Sequence, residues 1–334
     1  MTVSSAHIQA LQSFGYTPQE AHFLYLVATH SGYFLARQFL AFTGAHEGKR
    51  ATPFRTKLHA NKHARSEYFP THGVISNVFA PKLYRHLGRE NLRNRREHEV
   101  EHVQGRLAML DFVLSHLELN YLETEPEKCA YFKQTLGIPT QHLPSRTYHG
   151  YPGSQPTVRY FIDRFPMYVD RAPTPALVTF SYIQPAEANL SAFVRHLETY
   201  LPLLRELSAF RFLYLARSDS HFDRAREIFD SFVTVPLGPN PADDLLRYFA
   251  IRKAWDDRRY SSVTEADLIF RNLARERFSA LRFEDLYRRW ESGRMPDTQV
   301  REEFQSNGRS LTIRFESQLL PAVGPHRSEH EEQR

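Results

Sequence analysis

The segment YTPQEAHFLYLVATHSG constrains the fold of this chain more tightly than any other stretch. Thr17 supplies a side-chain N-cap, Pro18 takes the first helical position and Glu20 stands where a capping box needs it, so a helix begins here. Phe23, Leu24, Val27 and Ala28 recur at helical spacing, and Gly32 stops the run. A second helix over 34–42 turns Phe34, Leu35, Phe39 and Phe42 inward and ends at Gly44. The stretch ATPFRTKLHANKHARSEYF then predicts a third helix, with Thr52 as cap and Pro53 in its first turn. On it Phe54 and Leu58 pack, while Arg55, Lys57, Asn61, Lys62 and Arg65 point away. The following THGVISNVFAPKLYRHLG has β-rich apolar runs on either side of a Ser-Asn turn, which predicts a hairpin.

Three short helices, the third apolar on one face and basic or amide-bearing on the other, followed by a hairpin, make the pattern of a winged helix-turn-helix. Charge supports it. The chain carries a net +5, and between Arg37 and Arg96 the cations Lys49, Arg50, Arg55, Lys57, Lys62, Arg65, Lys82, Arg85, Arg89, Arg93 and Arg95 face only Glu47, Glu67 and Glu90. Arg and Lys neutralise phosphates, Asn61 has the bidentate geometry for adenine, and Lys82 and Arg85 of the wing would lie along the adjacent backbone. The expected partner is double-stranded DNA. A solvated basic face on a structural module, or a winged helix used for protein contacts, is the alternative.

At 334 residues, with 41% apolar and 13% aromatic side chains, the chain is long enough for two domains and too apolar to be disordered throughout. The division expected is a winged-helix domain over 1–95, a linker helix over 96–130, an α/β domain over 131–240, a helical extension over 241–318 and a solvated tail over 319–334. A single cysteine, Cys129, offers no disulfide and no thiolate cluster, and reads as a small buried hydrophobe. No run approaches the ~20 apolar residues of a membrane span and the N-terminus lacks a signal-peptide pattern, so a soluble, cytoplasmic protein is expected.

His98-Glu99-Val100-Glu101-His102 matches H-E-x-x-H, the helical pair of zinc-ligating histidines with a general-base glutamate. The surroundings oppose zinc chemistry: Arg93, Asn94, Arg95, Arg96 and Glu97 precede it, and Ala108 stands where the extended motif has its third histidine. With 17 histidines in the chain, a solvated start to the linker helix VQGRLAMLDFVLSHLELNYLE is the plainer reading. No cofactor is expected on these grounds, a divalent ion being the one candidate.

Beyond 150, TVRYFIDRFPMYV and APTPALVTFSYIQP read as strands, followed by a helix over 190–207, the strand FRFLYLA, a helix over 222–232 and a short run VTVPLG. This is an α/β layout with a mixed sheet, and no glycine-rich loop marks a doubly wound cofactor site. From about Ala242 the chain is helical, with Thr264 capping one helix and many Arg residues offset by Asp and Glu, until SLTIRFES offers a last edge strand. The succession TPFRTKLHANKHAR, NVFAPKLYRHLG, REHEVEH, RYFIDRFPMYV, ALVTFSYIQP, SAFVRHLETYLPLL and FRFLYLA resembles the replication-relaxation family of bacterial plasmids and integrated mobile elements. The resemblance spans roughly 10–235 and rests on diffuse motifs. It implies a winged helix coupled to a restriction-endonuclease-like α/β domain, within a replication or transfer complex that supplies protein partners.

That nuclease core needs a carboxylate on one strand and Glu-x-Lys on the next to hold a divalent ion beside the scissile phosphate. Asp163 stands at the first position, but the next strand offers Ser181, Tyr182, Ile183 and Gln184, and Glu187 lies past Pro185. The domain therefore reads as a degenerate, non-catalytic nuclease fold. The competing functions are a metal-dependent nuclease using Asp163 and Glu187, a zinc hydrolase using His98, Glu99 and His102, and a protein-interaction scaffold.

Overall fold

In a computed structural model, the residues described are 5–45, 50–70, 73–151, 154–163, 165–170, 177–184, 189–207, 209–233, 241–278, 280–307 and 312–320. The chain is of mixed α and β composition. It begins with α1 (Ser5–Gln12) and α2 (Pro18–His30), then β1 (Tyr33–Leu35), α3 (Ala36–Thr43), α4 (Ala51–Ala60), the hairpin strands β2 (Ala64–Phe69) and β3 (Gly73–Val78), and α5 (Pro81–His86). Thr17 and Glu20 form the capping box of α2 and Pro18 opens it, as their order in the sequence requires. Tyr33, Phe34 and Leu35 are strand rather than helix and pair with Asn77, Ser76 and Ile75, so β3 is central in a three-stranded sheet of order β1-β3-β2.

Three expectations in this region are corrected. The third helix starts at Ala51 with Arg50 before it, so Thr52 is an internal residue rather than the cap. It ends at Ala60, with Asn61 as its C-cap, because Lys62 takes a left-handed φ of 54° and turns His63 inward. The run ARSEYF is therefore β2, the hairpin turns between Phe69 and Gly73, and Ser76 and Asn77 lie buried within β3 instead of forming a turn.

Next come α6 (Val100–Ser115), α7 (Glu125–Ala130), the hairpin β4 (Ser145–Tyr148) and β5 (Thr157–Tyr160), β6 (Met167–Asp170), β7 (Leu177–Ile183), α8 (Ser191–Glu206), β8 (Ala209–Ala216) and α9 (Phe222–Val233). RYFIDRFPMYV is thus not one strand. Phe161, at φ 49°, breaks it between β5 and β6, which belong to different sheets. Four helices follow: α10 (Pro241–Asp256), α11 (Glu265–Arg277), α12 (Leu281–Glu291) and α13 (Asp297–Asn307), then β9 (Thr312–Leu319). Thr264 caps α11 through a box with Asp267. Of the run VTVPLG, only Val233 lies within the described residues, and it ends α9.

The larger sheet has the order β6-β7-β8-β9, with β6 antiparallel to β7 and the other pairs parallel. Alternation along its strands sends side chains to two separate cores. Phe180, Tyr182, Phe210, Phe212 and Tyr214 face Phe193, Leu197 and Tyr200 of α8 and Phe229 of α9. On the opposite face Tyr168, Ile183, Leu213 and Leu215 join Met109, Phe112 and Val113 of α6, in a cluster that continues through Leu24, Val27 and Phe54. The N-terminal unit and the sheet therefore share one hydrophobic core through α6. Asp111 of α6 fixes that join: it accepts both Arg37 Nη atoms at 2.9 and 2.7 Å, and Gln38 Nε2 at 2.8 Å. The helices α10 to α13 enclose a core of their own around Phe249, Phe278 and Tyr287.

Candidate nucleic-acid interface

Helix α4 is seated by Ala51, Phe54 and Leu58, all buried, with Phe54 stacked on Phe39 at a centroid separation of 4.2 Å. With 3.6 residues per turn, this leaves Thr52, Pro53, Thr56, His59 and Ala60 exposed, with Arg55 and Lys57 half-buried on either flank. The outward face therefore carries hydroxyls, an imidazole and a methyl, bordered by cations. This corrects the expectation that Arg55, Lys57, Asn61, Lys62 and Arg65 share one helical face. Lys57 Nζ lies 2.6 Å from Glu20 Oε2 and ties α4 to the start of α2. Asn61 donates from Nδ2 to the Phe14 carbonyl at 3.1 Å, so its amide is engaged within the fold. Arg65 sits on β2, 2.9 Å from Glu97 and over the ring of Phe79.

The hairpin is held to α4 by a short polar chain. His59 Nε2 is 2.9 Å from Ser66 Oγ, which is 2.9 Å from Ser76 Oγ. Near its turn, Tyr68 and Val74 are paired in register and exposed, Tyr68 to 69%. Lys82 and Arg85 are exposed too, but on α5 rather than on the hairpin strands expected to carry them. The Lys82 ammonium lies 4.8 Å from the centroid of Phe14, the residue whose carbonyl holds Asn61. The end of α4, with Lys62, and the start of α5 thereby meet at one edge of the unit. Beneath them His63 bonds the Tyr16 hydroxyl at 2.8 Å. Burial, aided by Lys82 and His86, holds the imidazole below its usual range, and burial pushes Tyr16 up to about 12. This pair is neutral at pH 7, so the charge at this edge is that of the exposed lysines and arginines.

Among the described residues, none of Arg50, Arg55, Lys62, Lys82 and Arg85 forms an ion pair, and Lys49 lies outside them. The arginines of the helical extension differ: Arg252, Arg289 and Arg301 pair with Glu284, Glu303 and Asp243. The sequence reading took Thr52 only as a cap, and passed over Thr56, His59 and Tyr68. The signal for the first three was present, because burial at 51, 54 and 58 fixes which positions face out.

The residues considered for catalysis are arranged otherwise. Asp163 lies in the bend between β5 and β6, where its Oδ2 is 2.8 Å from His196 Nδ1. Ser181 donates to the Pro166 carbonyl, and Glu187 falls outside the described residues. His98 precedes the N-cap of α6, which is Glu99, so the histidines are not an i, i+4 pair within one helix. Their rings are nevertheless close, 4.9 Å between centroids. Among the described residues no group of three or more His, Cys, Asp or Glu is placed to hold a metal ion.

No family model, curated protein or solved structure matches the chain. Among the described residues no helix is long and apolar enough to cross a membrane.

Proposed function

We propose that residues up to about Arg95 form a winged helix-turn-helix that binds duplex DNA, with α4 entering the major groove and the β2–β3 hairpin serving as the wing. The observation that carries this reading is the order α2-β1-α3-α4-β2-β3, with β1 closing the sheet against β3, and unpaired cations bordering the outward face of α4. Thr52, Thr56 and His59 are the base-edge readers, since hydroxyl and imidazole groups pair with base edges. Arg50, Arg55, Lys62, Lys82 and Arg85 hold phosphates. Tyr68 reaches the neighbouring backbone from the wing. In this reading the α/β domain is a nuclease-like scaffold without catalysis. The protein serves replication, transfer or regulation of a bacterial mobile element, the role that the replication-relaxation resemblance implies.

The test is fluorescence-anisotropy binding to mixed-sequence duplex DNA across a salt series, for the native chain and for Arg55→Ala/Lys62→Ala/Lys82→Ala. Three lost phosphate contacts should lower the slope of log K against log salt by about 3. Equal binding by both proteins removes α4 and α5 as the DNA-contacting surface, and no binding by either removes the DNA-binding reading and leaves a protein-docking module.

A further inference from the structure

A cavity of about 620 Å³ lies between the N-terminal unit and the β4–β5 hairpin. From one side it is lined by Arg93, Arg96 and, from α6, Arg106; from the other by Arg146 and Tyr148 of β4. Arg106 is only 6% exposed. One of its nitrogens donates to Asn94 Oδ1 at 2.7 Å, and burial pulls its guanidinium down to about 10. No carboxylate pairs with Arg106 among the described residues, so the fold keeps a desolvated cation in the wall of an open space. Arg93 and Arg146 come from the two sides to lie over the same Tyr148 ring, at 5.4 and 5.6 Å from its centroid. The ring thereby gathers two guanidinium groups beside the cavity, where one anion can be held by both.

The carboxylates lining the cavity do not supply that anion, because each is engaged elsewhere. Glu123 bonds Tyr25 and Arg89. Glu125 takes Arg159 and the Tyr160 N–H, each at 2.8 Å. Asp163 takes His196. The wall is therefore cationic where it is free and aromatic beside that, with Tyr160, Phe161 and Phe165 also lining the space.

We propose that this cavity binds a nucleoside phosphate, with the phosphate on Arg93, Arg96, Arg106 and Arg146 and the base against the aromatic wall. Guanidinium forks match phosphate oxygens bidentately. A planar base stacks on aromatic rings, and the volume falls within the range of roughly 300–1,000 Å³ usual for small-molecule pockets. Such a ligand could be a free nucleotide or the terminal nucleotide of a DNA strand, and either would bridge the N-terminal unit and the hairpin. The site is separate from α4 and does not depend on duplex binding there.

The experiment is isothermal titration of the full chain with ATP, dAMP, unphosphorylated deoxyadenosine, inorganic phosphate and a 5′-phosphorylated single-stranded oligonucleotide. It is repeated on Arg93→Ala/Arg146→Ala, which changes side chains reaching a largely open wall, and on Arg106→Met once its thermal melt shows it folded. The expected result is binding of ATP, dAMP or the oligonucleotide, weakened about 10-fold or more in Arg93→Ala/Arg146→Ala, with deoxyadenosine much weaker. Binding of the mononucleotides assigns a free ligand, and binding of the oligonucleotide alone assigns a strand terminus. No binding by any probe at 1 mM, inorganic phosphate as tight as dAMP, or unchanged affinity in the double variant overturns the proposal. Arg55→Ala/Lys62→Ala/Lys82→Ala should bind the nucleotide normally, so failure of duplex binding and failure of this site are read separately.

Discussion

Gly32 and Gly15 offer a paired test of how the turn after α2 is built. Both have left-handed backbones, at φ 83° and 79°. They differ in surroundings. A Cβ at position 15 would meet nothing within 4 Å, whereas one at 32 would lie 2.7 Å from the carbonyl carbon of Asn94 and closer still to its oxygen. Gly15→Ala should therefore show only the left-handed penalty of about 1–2 kcal/mol, partly offset by the lower entropy of the unfolded alanine chain. Gly32→Ala adds displacement of Asn94. That residue is fully buried, donates from Nδ2 to the Ala28 and Thr29 carbonyls at 2.9 and 2.8 Å, and accepts from Arg106. Loosening three buried hydrogen bonds, at about 1 kcal/mol each, brings the expected loss to about 4 kcal/mol. Urea denaturation followed by far-UV circular dichroism reads both variants against the native chain. A difference below about 0.5 kcal/mol between the two would refute the close-approach argument, because the backbone penalty is common to both.

Other outcomes follow from the same contacts. Asp111→Ala should destabilise by about 3 kcal/mol, the lower end for breaking a buried pair because Arg37 keeps 27% exposure, while Asp111→Asn retains part of the Gln38 bond; thermal melts rank the two. Phe54→Ala, which removes the ring shared by Phe23, Phe34 and Phe39, should cost about 3–5 kcal/mol and abolish duplex binding, measured by melting and anisotropy. Stability should also fall in acid. His30 is buried and held down to about 3 by desolvation, with Lys128 and Arg89 adding repulsion; Glu123, 3.9 Å away, is engaged by Tyr25 and Arg89 and leaves the imidazole neutral. The unfolded histidine binds a proton from about pH 6.5 downward and the folded one does not, so stability declines from about pH 6.5 toward pH 3, by up to about 1.4 kcal/mol per unit. His30→Gln should flatten that slope in urea titrations between pH 7 and 5, and an unchanged slope would place the acid sensitivity elsewhere.

Local chemistry was readable where a signal lies within one turn of helix. Thr17, Pro18 and Glu20 start α2, Thr264 starts α11, and the alternation of FRFLYLA makes β8, because caps and side-chain periodicity are decided by neighbours along the chain. The end of α4 was not legible: Lys62 turns left-handed against a tertiary setting that buries His63 beside Tyr16 and Phe14, and reading the helix onward misplaced the hairpin, Arg65 and the outward face. The cavity arginines were equally hidden as a group, since Arg93, Arg106 and Arg146 come from three elements and only packing brings them together. SLTIRFES was legible as the edge strand β9, but its partner was not, since it pairs in parallel with β8 from a position about a hundred residues later. The sequence by itself determined the side-chain-capped starts of α2 and α11 and which faces of the helices are apolar. Tertiary structure alone decided which strands pair and which charges are left without partners, because both depend on contacts between residues far apart in the chain.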